Sequence, residues 1–336
     1  FSAAENQTAV GTVTATDVDS SSTSFSVSGE GLSMSTSGVL TFSTAPDFET
    51  QSSYSGTVTA TDGINSSTQS ITVTVTNVNE APVFTSATLY DADENQSAIG
   101  DVTATDVDSS SLTYSVSGSE LSMTAGGVLT FVSAPDYETK SSYTETVTVT
   151  DGGLSASQPV TVTINNLNDN SPVITSQATF SADENETAIA TLTATDADGD
   201  SPTFSISGTE LTVSSGGVLT FSSEPDYETK TSYTATVTAN DGANSTTQSI
   251  TVSINNLNDN DPVFSTGATF SVDENQTAIG TAAATDADGD SVTFSISGSD
   301  LSITSSGVIT FNSAPDYETT TSYSATITAN DGANSI

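Results

Sequence analysis

Apolar and hydroxyl-bearing residues alternate along almost every ordered stretch of this chain. Gly11-Thr12-Val13-Thr14-Ala15-Thr16 and Tyr143 through Thr150 (Y-T-E-T-V-T-V-T) place Gly, Val, Ala or Tyr, and once Glu145, at every second position, with Thr between. That period of two is the signature of half-buried antiparallel strands, and Thr and Val are strong strand residues. No window carries a persuasive 3.6-residue stripe. Between residues 81 and 170 the pattern predicts roughly seven strands: P-V-F-T-S, D-V-T-A-T, L-T-Y-S-V, L-S-M-T, G-V-L-T-F, Y-T-E-T-V-T-V-T and P-V-T-V-T-I. Clusters of Gly, Asp and Ser separate them at the short spacing of a β-sandwich. Tyr54, Tyr143, Tyr233 and Tyr323 open the sixth strand. A hydrogen-bonded corner tyrosine and a plain core aromatic explain them equally well.

The alternation itself repeats. T-A-T-D or its equivalent recurs with its Asp at Asp17, Asp106, Asp196 and Asp286, in steps of 89, 90 and 90. A fixed period means one supersecondary unit copied. Length alone suggests two or three domains; the period argues for four: 1–80, 81–170, 171–260 and 261–336. The first and last begin and end within a repeat, as expected for a piece of a longer array. Consecutive repeats join through I-N-N-L-N-D-N and Pro82, Pro172 or Pro262 with no Gly/Ser spacer, so the joints are short and stiff.

Composition narrows the chemistry. The chain carries 42 acids against two lysines (Lys140 and Lys230), no Arg, His, Cys or Trp, and a formal charge of -40. Nucleic acid is excluded as a natural partner, because phosphate binding needs Lys and Arg. Anionic membrane surfaces are disfavoured, and no apolar run approaches the ~18 residues needed to span a bilayer. A solubilising or salt-adapted surface accounts for part of the acidity. Disorder does not, since the acids keep fixed places between alternating strands. The N-x-[ST] tripeptides at Asn6, Asn65, Asn95, Asn185, Asn244 and Asn275 read as chance in so Ser/Thr-rich a chain. Asn6, Asn95 and Asn185 also sit beside the acids discussed next.

Those acids recur as E-N-x-[TS], P-D-[FY]-E-T, the linker N-x-N-D-N, T-D-x-D and a lone D-G. Across the first joint they are Glu5, Asp47, Glu49, Asn77, Asn79, Glu80, Asp106, Asp108 and Asp151. The second joint has Glu94, Asp136, Glu138, Asn166, Asn168, Asp169, Asn170, Asp196, Asp198 and Asp241. The third has Glu184, Asp226, Glu228, Asn256, Asn258, Asp259, Asn260, Asp286, Asp288 and Asp331. Carboxylates and amide carbonyls are Ca²⁺ ligands, and without His or Cys zinc and copper sites are not expected. Seven carboxylates per joint repel one another unless cations intervene.

Together these motifs resemble the cadherin repeat over the full length of the chain. The resemblance implies an all-β tandem array of four Greek-key, immunoglobulin-like seven-stranded sandwiches. It also implies about three Ca²⁺ at each inter-repeat joint, held by the residues just named. P-D-Y-E-T stands where the family often has L-D-R-E, and both acids are kept. Glu80 is read as replacing the linker Asp, and Ala81 the second Asn, so the first joint is expected to bind calcium more weakly. D-A-D-G-D in the last two repeats adds Asp200 and Asp290, as extra ligands or as polar turn residues. Asp17, Asp19 and Asp62, and Glu274, Asp316 and Glu318, would each need a further repeat to complete a site. The Ser/Thr-rich repeats look like bacterial cadherin-like repeats more than animal ones.

The expected function is therefore an extracellular adhesion or stalk array on a cell-surface or secreted protein, rigidified by calcium. Its expected partners are neighbouring repeats and another surface protein, matrix protein or glycan. A carbohydrate-binding module and a filament or matrix subunit are the alternatives. D-A-D-G-D is not an EF-hand, because Ser201 and Ser207 occupy the places of its Gly and Glu. Enzyme activity is not expected: Asp226 and Glu228 lie too close in sequence to flank a sugar, and four copies argue against one active site.

Overall fold

The computed structural model describes residues 1–19 and 22–336; Ser20 and Ser21, the end of the first D-V-D-S-S turn, lie outside the described residues. The chain forms two compact units, 1–167 and 168–336. Among the described residues the regular structure is entirely β. No helix is long and apolar enough to cross a membrane.

Within the first unit, residues 83–165 show the common plan. A four-stranded sheet runs in the order Thr113–Val116, Ser142–Thr150, Ser155–Asn165, Leu89–Asp93. Its first two junctions are antiparallel and its last, with Leu89 opposite Thr161, is parallel. A three-stranded sheet runs Ala98–Asp101, Val128–Phe131, Leu121–Met123. Val83–Phe84 pairs with Ala104–Thr105 in a short ladder beside them. The same plan recurs at 173–255, at 2–76 without the short ladder among the described residues, and in part at 263–336.

The alternation decides which way each strand faces. Val147, Val149, Val160, Val162 and Ile164 on the long hairpin are buried, while the Thr residues between them are exposed or half-buried. Val147, Val160, Val162 and Ile164 pack with Leu121, Leu129 and Phe131 of the other sheet, which closes the sandwich. Phe131 meets Tyr143 edge-on at 5.1 Å, and Phe42–Tyr54, Phe221–Tyr233 and Phe311–Tyr323 repeat the contact. Tyr54, Tyr143 and Tyr233 are thus core aromatics packed by their rings, while Tyr323 is exposed.

Two details differ from the strand prediction. Leu89–Asp93 forms a strand that alternation does not signal, because only Ala92 of its five residues is buried and its edge carries acids. D-V-T-A-T is split: Asp101 ends one sheet, Ala104 begins another ladder, and buried Val102 crosses between them. The crossing is held by the Val102 amide donating to the Gly127 carbonyl at 2.9 Å. Gly127 has φ 94°, and a Cβ there would lie 2.4 Å from the Val102 oxygen, so only glycine fits.

Candidate metal centres at the linkers

Each E-N motif makes a reversal, which in the first three repeats follows a strand. Asn6, Asn95, Asn185 and Asn275 all have φ between 61° and 64°, a left-handed conformation that Asn tolerates better than most residues. Each donates its backbone N–H to the proline carbonyl of the P-D-[FY]-E turn: Pro46, Pro135, Pro225 or Pro315. In the first three repeats the preceding glutamate then points inward. Glu184 is 1% exposed; its Oε2 accepts from the Tyr227 N–H at 2.8 Å and its Oε1 from the Leu257 N–H at 2.7 Å. Glu5 makes the same pair of bonds with Phe48 and Val78, and Glu94 with Tyr137 and Leu167. One carboxylate therefore ties the acidic turn to the start of the linker. Each oxygen keeps lone-pair capacity beyond the one amide it accepts.

The remaining acids bond to their own turns, with both oxygens in P-D-[FY]-E-T and with one in T-D-x-D and D-G. Asp47, Asp136 and Asp226 accept from the amide and hydroxyl of the Thr three residues on. In T-D-x-D, Oδ1 of Asp106, Asp196 and Asp286 accepts from the N–H two residues later. In the lone D-G, Oδ1 of Asp151, Asp241 and Asp331 caps a tight loop. This leaves the other oxygens. Glu80 Oε2, Asp106 Oδ2, Asp108 Oδ1, Asp196 Oδ2, Asp241 Oδ2, Asp286 Oδ2 and Asp331 Oδ2 are buried with no hydrogen-bond donor.

Carboxylate oxygens also converge. Those of Glu5, Glu49 and Glu80 lie within 4.8 Å of one another, as do those of Glu184, Asp226 and Glu228, and of Glu228, Asp259 and Asp288. Asp196, Asp198 and Asp200 form a further such group, so Asp200 stands with its neighbours and not apart from them. The crowding shows in the acidities. Desolvation pushes the Glu49 and Glu228 carboxyls up; repulsion from Glu5, Asp108 and Asp47 adds to it for Glu49, and from Glu184, Asp288 and Asp226 for Glu228. At Glu80 the Asn6 amide pulls the carboxyl down, but desolvation and the nearness of Asp108 and Glu5 outweigh it and raise it. Asp108 is lowered, chiefly by the Glu80 N–H. For Asp288 and Asp331, burial is outweighed by N–H donors from Asn260 and Asp259 and from Asn334 and Ala333, so both are lowered.

The sequence profile of the family described as bacterial Ig domain matches residues 79–163 and 168–255, just over half of the chain. The chain belongs to the bacterial Ig domain family. Its repeats are cadherin-like. "Cadherin EGF LAG seven-pass G-type receptor 2" of Mus musculus is 30% identical over 328 residues, 85% of this array and 11% of that protein. The array thus spans about a tenth of that relative's length. "Chitinase A" of Pseudoalteromonas piscicida is 31% identical over 157 residues, 46% of the array and 19% of that protein. Among solved structures, "Protocadherin Gamma B2 extracellular cadherin domains 3-6" superimposes over 100% of the array and 96% of its own chain, with TM-score 0.69 and 20% identity. That match shows the fold.

Not every expected residue of this bacterial Ig array is placed in the same way. The first and third linker sets each lie within one unit and are brought together as described. The second set is divided: Glu94, Asp136, Glu138 and Asn166 belong to the first unit. Asn168, Asp169, Asn170, Asp196, Asp198 and Asp241 belong to the second. In that second half, the Asn170 N–H donates to Asp198 Oδ2 at 2.9 Å and the Asn170 side-chain amide to Asp198 Oδ1 at 2.7 Å. Asn260 repeats both bonds with Asp288 at 2.9 and 2.7 Å.

The first linker differs in length. N-V-N-E-A-P is one residue shorter between its first Asn and its Pro than N-L-N-D-N-S-P or N-L-N-D-N-D-P. Glu80 keeps both bonds of the linker Asp. Its Oε1 accepts from the Asn6 amide at 2.7 Å, as Asp259 accepts from Asn185, and its N–H donates to Asp108 Oδ2 at 2.7 Å, as those of Asp259 and Asn260 do to Asp288. The side-chain bond of Asn260 to Asp288 Oδ1 has no counterpart there, and Asp108 Oδ1 is left without a donor. The step of 89 residues, where later steps are 90, was the sequence signal.

Two functional positions were not anticipated. Asn244 donates its side-chain amide to the carbonyls of Asn168 and Asn170 at 3.4 and 3.1 Å, and Asn334 does so to Asn258 and Asn260 at 3.3 Å each. These residues clip the linker to the following repeat without metal. The signal is D-G-A-N at 241–244 and 331–334; the corresponding residue of the second repeat is Leu154.

Proposed function

We propose that this bacterial Ig array is a calcium-rigidified extracellular segment, a stalk or adhesive arm of a larger cell-surface or secreted protein. The observation that carries this reading is the set of buried carboxylate oxygens with no donor at the linkers. A buried acceptor without a partner costs free energy, and a cation is the partner that carboxylates in this number require. The donor set is wholly oxygen, which fits Ca²⁺ and not a thiolate- or imidazole-bound metal. At the third linker Glu184, Asp226, Glu228, Asn256, Asn258, Asp259, Asn260, Asp286, Asp288 and Asp331 would hold about three ions. The first and second linkers would use the corresponding residues. When bound, the ions supply positive charge and close the coordination of oxygens that the protein leaves bare.

The protein's own groups do the rest. Glu5, Glu94 and Glu184 anchor the acidic turn to the linker, and Asn244 and Asn334 hold the linker to the next sandwich. Without cations, the acids at each linker repel and the hinge relaxes. We place the repeats at 1–80, 81–170, 171–260 and 261–336. The role is mechanical and non-enzymatic; partners are adjoining repeats and a surface protein, matrix protein or glycan.

Small-angle X-ray scattering in calcium and then in excess chelator tests this. A particle whose maximum dimension shortens and whose profile becomes that of a flexible chain of beads on chelation is expected. Identical profiles would show that the acids are surface charge alone.

A further inference from the structure

The second repeat reads D-V-D-S-S where the third and fourth read D-A-D-G-D, so Gly199 and Gly289 stand in place of Ser109, and Asp200 and Asp290 in place of Ser110. The turns differ accordingly. Ser109 donates its backbone N–H to Asp106 Oδ1 at 2.8 Å and its hydroxyl to the Ser111 carbonyl at 3.3 Å. Gly199 and Gly289 both have φ 87°, a conformation that serine rarely adopts, and a Cβ at either would meet nothing within 4 Å. The glycine therefore serves the backbone and not the packing. Past it the chain folds back on the first acid: the Asp290 N–H donates to Asp286 Oδ1 at 3.4 Å. In the third repeat, carboxylate oxygens of Asp196, Asp198 and Asp200 lie within 4.8 Å of one another. A turn that is merely polar gains nothing from a third carboxylate brought up to two others, because like charges repel.

A separate feature faces the same space. Asp331 is only 8% exposed, yet its Oδ2 is buried without a donor. Asp286 Oδ2 is bare in the same way, and Asp196 Oδ2 and Asp241 Oδ2 repeat the pair in the third repeat. Asp17 and Asp62, at the positions of Asp286 and Asp331 in the first repeat, line one cleft of about 170 Å³. The lone Asp and the T-D-x-D loop thus open onto a common cleft.

We propose that Asp200 and Asp290 are cation ligands, brought to the cleft by the left-handed Gly199 and Gly289, and that they make the D-A-D-G-D repeats the tight calcium binders of this array. The inference rests on the calcium reading above and adds to it the residues that set affinity. In the fourth repeat Asp286, Asp288, Asp290 and Asp331 supply four carboxylates to one ion, where the second repeat supplies Asp106, Asp108 and Asp151. Ca²⁺ takes six to eight oxygens, and the number of charged ligands tunes how tightly a site holds it. Four acids from one folded repeat also leave less of the shell to the linker, so the ion is held before the linker is ordered. Glycine and the fifth acid work as a pair: without φ 87° at the fourth position, an acid at the fifth does not return to the first.

The test is a calcium titration of the intact chain, read as hydrogen-exchange protection of residues 256–262 and 77–82, for the parent and two variants. Asp290→Ser installs the residue of the second repeat. It is expected to raise the calcium midpoint at 256–262 about tenfold, to leave the midpoint at 77–82 where it was, and to leave urea unfolding in excess chelator unchanged. Ser109→Gly with Ser110→Asp installs the pair in the second repeat and is expected to lower the midpoint at 77–82, while Ser110→Asp alone lowers it less. A parent that responds to calcium with an Asp290→Ser midpoint that does not move would overturn this inference and leave the calcium reading standing. So would a loss of stability in chelator without a shift in midpoint, which is the behaviour of a polar turn residue. Equal effects of Ser110→Asp and the double variant would overturn the role given to the glycine. A parent whose linkers gain no protection from calcium would overturn the calcium reading and this inference together.

Discussion

Glu184 and Asp259 meet at the same linker but do different work, and that difference can be measured. Glu184 is buried and satisfies two backbone amides whether or not a cation is present. Replacing it with Ala leaves the Tyr227 and Leu257 N–H groups without acceptors. A loss of roughly 2–6 kcal/mol is expected at about 1–3 kcal/mol for each unsatisfied group. Urea unfolding in excess chelator should show that loss in full. Asp259 is exposed and bonded mainly to side-chain amides of Asn185 and Asn260. Asp259→Ala should therefore change stability little in chelator and remove calcium-induced stabilisation instead. Comparable losses for both variants without calcium would mean that Asp259 is a structural residue. At this scale the acids were legible because they recur in register. The role of Asn244 was not: it acts through contacts 74–76 residues away.

The strands were legible wherever one face is buried and the other wet, since that geometry writes itself as alternation. Leu89–Asp93 escaped because it is an edge strand held by parallel pairing to Ser155–Asn165, with one buried side chain to signal it. Its existence depends on a partner more than 70 residues away. Alternation also conceals an exception in the long hairpin. Glu145 occupies a buried position where the other repeats have Gly56, Ala235 and Ala325. Its Oε1 accepts from the N–H groups of Glu120 and Leu121 at 2.9 and 3.3 Å, but its Oε2 is buried without a donor. A carboxylate half-satisfied in a core is costly, and the third repeat closes the same turn around Ala235. Glu145→Ala is expected to raise stability by about 1 kcal/mol in urea unfolding of the full chain. A fall of similar size would show that the two accepted amides outweigh the desolvated oxygen.

Across the molecule, a charge of -40 is carried by repeats that place their acids at the same points, so self-repulsion is concentrated at the linkers and not spread evenly. The period made that concentration legible, and N-V-N-E-A-P already marked the first linker as the weaker one; the contacts behind the difference appear only in three dimensions. The third linker presents Asp286 Oδ2 and Asp331 Oδ2 bare, and Asn334 holds its backbone in place. The first is one residue shorter, has Leu154 in place of that asparagine, and has Asp151 Oδ2 already capped by the Asn79 amide at 2.7 Å. A cation there must share the Asp151 Oδ2 with an existing hydrogen bond and bind a less braced loop. Calcium should therefore order the third linker first. Extracellular modules bind Ca²⁺ at about 0.1–1 mM, and a difference of about 1 kcal/mol between linkers would separate their midpoints roughly fivefold. Hydrogen exchange at residues 77–82 and 256–262, followed through one calcium titration of the intact chain, reads both midpoints together. Protection of 256–262 at the lower calcium concentration is the expected order. The opposite order would show that the longer reach of Glu80 compensates for the missing residue, and that bracing by Asn334 does not govern affinity.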